Sequence, residues 1–109
     1  MTLAPPDGTL GRTIASRTYE FTDTTGIQQQ VTVHIGAPRQ DPGGDWYCPC
    51  QILGRPQTPE TVTSMWGVDS LQALILALSR IRGELGDGRA AELTWYGNPD
   101  LGLDLSLRP

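Results

Sequence analysis

The chain has 109 residues, 38% of them apolar, which is enough for one domain around one core. Its net charge is −4, and its eight basic side chains are all arginines spread between Arg12 and Arg108. A dispersed, minority basic set argues against a nucleic-acid or anionic-membrane surface. No apolar run approaches the ~20 residues that span a bilayer. The N-terminus carries no basic n-region, so no signal peptide is expected and a cytoplasmic location is.

Residues 1–12 read as a flexible arm, because Pro5, Pro6 and Gly8 disfavour regular structure. Residues 13–109 are expected to form a single globular domain. Thr13–Phe21 reads as a first strand, with Ala15, Tyr19 and Phe21 sharing one parity. Arg17 interrupts that parity, which suits an edge where its stem covers apolar surface and its head reaches water. The Thr22–Gly26 turn joins it to a second strand, Ile27–Gly36, as a hairpin. There Val31, Val33 and Ile35 point inward, and Gln30, Thr32 and His34 outward.

A turn-rich stretch then leads to a third strand, Trp46–Ile52. Trp46, Cys48, Cys50 and Ile52 share one face; Tyr47, Pro49 and Gln51 share the other. Pro49 cannot donate to a ladder, so this strand is expected at an edge or at a bulge. Thr61–Trp66 reads as a fourth strand.

The one long helical period follows. Asp69 stands at the N-cap and Gln72 at N3. Leu71, Leu74, Ile75, Leu78, Ile81 and Leu85 fall in one broad stripe. The helix is expected to end at Gly86-Asp87-Gly88. Leu93–Tyr96 reads as a fifth strand, and Leu101, Leu103, Leu105 and Leu107 alternate with polar residues as a last strand or cover. Four strands before one helix predict an α+β fold: an antiparallel-rich sheet of four to six strands with one main helix on one face.

Two segments resemble a family of small uncharacterised bacterial domains: Asp45-Trp46 with Cys48-Pro49 and Gln51-Ile52, and Gly67-Val68-Asp69 with Gln72-Ala73-Leu74. Ile35-Gly36-Ala37-Pro38 resembles that family's strand end. The chain departs from the pattern at Cys50, where an aromatic is usual, and at Gly102-Leu103-Asp104, where the pattern has glycine, an aromatic and proline. The resemblance implies one compact domain and no particular reaction.

The residues themselves carry little chemistry. Cys48 and Cys50 lie about 6.6 Å apart along a strand, at the strained edge of disulfide geometry, and are expected as reduced thiols. A zinc site wants four ligands, and His34 is the only histidine. Parity puts that histidine on the face opposite the cysteines, which disfavours a Cys–His nucleophile. No metal, cofactor or catalytic residue is expected. Leu76 lies on the polar side of the helix wheel, and with Leu103, Leu105 and Leu107 it is a candidate interface. The leading expectation is a non-enzymatic accessory domain, of an immunity or similar type, that binds a protein partner or itself. The alternative is a small enzyme or ligand-binding domain with a pocket between the Trp46 strand and the helix, near Trp46, Gln51 and Gln72.

Overall fold

The computed structural model of the chain describes residues 4–86 and 92–103. The chain forms five strands: β1 (Thr13–Thr22), β2 (Gln28–Gly36), β3 (Arg39–Gln40), β4 (Trp46–Leu53) and β5 (Thr63–Gly67). One helix follows, α1 (Ser70–Leu85). The strands form one antiparallel sheet in the order β1-β2-β4, and β4 pairs with both β3 and β5. The α+β architecture expected from the sequence is therefore what the chain adopts. Pro49 is accommodated on a strand with neighbours on both sides, opposite Ser64 of β5.

The inner face is set by parity. Tyr19, Val31, Val33, Ile35, Cys48, Cys50 and Ile52 are buried there against Ala73, Ala77 and Ile81 of α1. The buried helix face differs from the leucine stripe. Ala73, Ala77 and Ile81 recur every four residues and form its centre. Leu74, Leu78 and Leu85 are only half-buried on one flank, while Leu71 and Ile75 are exposed. The reason is where the helix sits. It lies against β4 and β5, and small alanines let its backbone approach the sheet.

Because α1 favours the β4–β5 side, the β1–β2 side needs another cover. The chain returns to supply it. Leu93 and Leu101 are buried in the same core, with Trp95 and Leu103 packed against it. Tyr19 Oη donates to the Leu101 carbonyl at 2.9 Å. The expected fifth strand shrinks to one rung: Glu20 and Thr94 exchange both backbone hydrogen bonds at 2.9 and 2.8 Å. Trp95 then pairs with Asn98 in a tight turn that leads the chain away.

The outer face is also covered at its centre. Tyr47 is buried and its ring lies 4.9 Å from that of Trp66. Residues 4–12 carry no strand or helix and cross this face. A Cβ on Gly36 would stand 2.1 Å from the Leu10 carbonyl oxygen. Arg39 clamps the segment: Nη1 reaches Asp7 Oδ2 at 2.6 Å and Nη2 reaches the Thr9 carbonyl at 2.7 Å. Pro5 is buried.

The helix start follows its expected chemistry. Gln72 N–H donates to Asp69 Oδ1 at 2.7 Å, and Gln72 Oε1 accepts from the Val68 N–H at 2.8 Å. The back-bond thus reaches one residue beyond the cap. Asp69→Ala is expected to cost about 1 kcal/mol through loss of the cap; a urea melt checks it, and an unchanged midpoint would remove the assignment.

Candidate functional site

The cysteines and the histidine carry the most reactive side-chain atoms of the chain. Cys48 and Cys50 are buried free thiols on the inner face. Burial, and next the neighbouring Cys50, push the Cys48 thiol up to about 11. Burial also raises Cys50, partly offset by the Thr63 hydroxyl 3.5 Å away. Thiols held protonated at neutral pH are poor nucleophiles and poor metal ligands. His34 pairs with Gln51 across the sheet, and its parity places it on the outer face. Among the described residues, no three His, Cys, Asp or Glu side chains are grouped to hold a metal ion, and no helix is long and apolar enough to cross a membrane.

Of the three residues of the expected pocket, only Trp46 and Gln72 are brought near one another. Trp46 pairs with Gly67, and Gln72 lies beside that same glycine. Gln51 sits at the opposite end of β4, where its Nε2 donates to the Glu60 carbonyl at 2.7 Å. The expected interface is divided in the same way. Leu76 is half-buried and lines a shallow hollow with Met65 and Arg80. Leu103 packs on the far side of the core against β1. Leu105 and Leu107 lie outside the described residues.

Two other places gather accessible polar groups. The first is the free edge of β1. In an antiparallel pair, successive residues alternate between bonding their partner strand and facing away. Glu20 faces away from β2, because it exchanges both bonds with Thr94. Thr18 and Ser16, two and four residues back, therefore face away as well. The 3.2 Å approach of the Thr18 and Thr32 hydroxyls fits such a non-bonded pair. Both residues are exposed, and among the described residues no strand pairs with β1 on this side.

This edge runs between two hollows. On the inner side, Ala15, Val33, Ile35, Leu78 and Leu103 help line an apolar hollow of about 190 Å³. On the outer side, Ser16, Thr18, Glu20, Gln30, Trp95 and Tyr96 help line a wider, polar one of about 500 Å³. Arg17 borders both. Its head is not in open water as expected at an edge: Nη1 donates to the Leu101 and Gly102 carbonyls at 3.1 and 2.9 Å, and the guanidinium lies 3.9 Å over the Trp95 ring. Tyr96, at positive φ, is 93% exposed at the end of the edge.

The second place lies between β4 and the C-terminal half of α1. Cys50, Gln51, Arg55, Thr61, Arg80 and Glu84 help line a half-open hollow of about 210 Å³. Glu84 is shared there by two guanidinium groups: Arg55 Nη1 at 3.1 Å and Arg80 Nη2 at 3.2 Å. The sequence marked β1 as an edge through Arg17 and suggested a pocket between the Trp46 strand and the helix, but of the residues named for that pocket only Gln51 lines this hollow, and Arg55, Arg80 and Glu84 were not among them. The Arg80–Glu84 spacing is a legible helical pair, and Thr13–Ser16 is a strand start without proline, lysine or charge, which is how an unguarded edge reads. Arg55 carries no sequence signal, because the 54–62 loop has no period.

No curated protein and no solved structure shows a significant match to the chain. Residues 15–105 match a domain of unknown function, DUF6968. That range takes in both the Asp45–Ile52 and the Gly67–Leu74 segments, all of β2–β5 and the helix; the chain is a member of the DUF6968 family.

Proposed function

We propose that this domain is a non-enzymatic protein-interaction module that binds an extended segment of a partner along the free edge of β1. The observation that carries the reading is the outward-facing backbone of Ser16 and Thr18, unpaired among the described residues beside a rung that the chain itself has begun at Glu20–Thr94. Strand addition uses such an edge: backbone hydrogen bonds supply affinity, and alternate side chains supply specificity. The two flanking hollows suit that alternation, one aliphatic side chain turned toward Leu78 and Leu103 and polar ones toward Thr18 and Tyr96. Buried cysteines and the separation of His34 from them support the non-enzymatic part.

A second copy of this chain suits the edge poorly. Antiparallel pairing of Ser16 with Thr18 of the second copy sets the two Arg17 side chains directly opposite, and like charges in that position oppose pairing. The partner is therefore a different sequence, extended and alternating apolar with polar.

Ser16→Pro tests this with little cost to the fold, because the N–H it removes is not used by β2. An extended probe peptide of alternating threonine and valine is expected to shift the Ser16 and Thr18 amide resonances of the wild type. The proline variant is expected to bind at least about tenfold more weakly, as loss of a backbone hydrogen bond implies, with its melting temperature kept. Equal binding by the variant, or shifts confined to other surfaces, would overturn the reading. The hollow between β4 and α1 favours a second reading, a small-ligand site, on the separate observation of its shared carboxylate.

A further inference from the structure

The geometry points to a binding site for a small aliphatic carboxylate in the hollow between β4 and α1. Three charged side chains meet there, two guanidinium groups and one carboxylate, which leaves one positive charge over within the cluster. Each guanidinium has five N–H donors. Glu84 accepts one from Arg55 Nη1 and pairs by charge with Arg80 Nη2, and the Arg55 Nε is buried with no partner. Glu60 of the same loop is engaged elsewhere: its Oε2 accepts from the Gly54 N–H at 2.7 Å. Free donors on paired, planar cations match the two oxygens of a carboxylate.

The remaining walls select among anions. Ile52, Pro59 and Ile81 form an apolar side. Thr61 and Thr63 add hydroxyl groups to the lining. A hollow of about 210 Å³ falls below the size of most drug-sized sites, so the ligand has only a few heavy atoms. A short-chain acid places its oxygens on Arg55 and Arg80 and its stem on the isoleucines. Glu84 holds both guanidinium groups in place and competes with the ligand for them.

Butyrate, inorganic phosphate and chloride, each titrated at constant ionic strength, test the site by NMR shifts of the Thr61, Thr63 and Arg55 Nε groups. Butyrate is expected to saturate in the millimolar range, with phosphate weaker and chloride without effect. Arg55→Gln and Arg80→Gln are each expected to weaken butyrate by about tenfold, as loss of one charge-assisted hydrogen bond implies. Glu84→Gln is expected to tighten it, since the competing carboxylate is gone while the side chain keeps its shape. That gain separates a ligand site from an ion pair that merely ties the helix to the loop. Weaker binding in Glu84→Gln, a linear response to butyrate, or an equal response to chloride would overturn the proposal. None of these outcomes depends on the β1 edge, so Ser16→Pro is expected to bind butyrate like the wild type.

Discussion

Tyr19→Ala is expected to remove about 3–5 kcal/mol of stability, the range for truncating a fully buried aromatic. Tyr19 is the largest completely buried side chain of the described residues. It joins parts of the chain that are far apart in sequence: its ring packs with β2 and the Leu93–Leu101 segment, and its hydroxyl reaches the Leu101 carbonyl. Truncation leaves a cavity under the returning segment and removes one of the two donors to that carbonyl, the other being Arg17 Nη1 at 3.1 Å. Since small domains are stable by only about 5–15 kcal/mol, this is a large share of the total. Tyr19→Phe separates the two contributions; it keeps the packing and is expected to cost about 1 kcal/mol for the hydrogen bond. Urea melts of both variants check the pair. A loss below about 1 kcal/mol for the alanine variant would mean that the returning segment does not seal the core.

Gly54→Ala is the second large effect, expected at about 3 kcal/mol from backbone strain and overpacking together. Gly54 follows the end of β4 with φ at +90°, and a Cβ there would stand 2.2 Å from the Gln30 carbonyl oxygen and 3.5 Å from the Val31 Cα. The atoms in the way belong to the backbone of β2, so no side chain can turn aside to make room. Gly26→Ala is the control. Its φ is +85° but nothing lies within 4 Å of an added Cβ, so it is expected to cost only the conformational part, about 1 kcal/mol. Thermal melts compare the two. Equal losses would show that the close approach of Gly54 to β2 carries no energy of its own.

Arg17 shows how a residue can be legible in role and hidden in structure. Its break in the β1 alternation marked an edge, and β1 is an edge. That the guanidinium would lie over Trp95 and bond two carbonyls near residue 101 depends on where the chain returns, some 80 residues later. Gln51 was legible as polar on the outer parity of its strand, yet its partner is a loop carbonyl at Glu60. No period connects those two positions. The Arg55–Glu84–Arg80 cluster joins a loop to a helix and is equally invisible along the chain.

Local chemistry determined the elements. Period two placed β1, β2 and β4 and put Val31, Val33, Ile35, Cys48, Cys50 and Ile52 on one face. Asp69 and Gln72 determined where the helix starts, because a cap is settled within four residues. Tertiary structure decided which side of that helix is buried. The stripe read from the sequence holds leucines and isoleucines and no alanine, but close approach to β4 and β5 favours smaller residues, so Ala73 and Ala77 face the sheet and Leu71 and Ile75 do not. The same placement left β1 without a helix above it. The returning chain covers that end with one rung and Leu101, and Ser16 and Thr18 keep a free edge. Hydrophobic period says which residues seek burial; only the space left between packed elements says which of them obtain it.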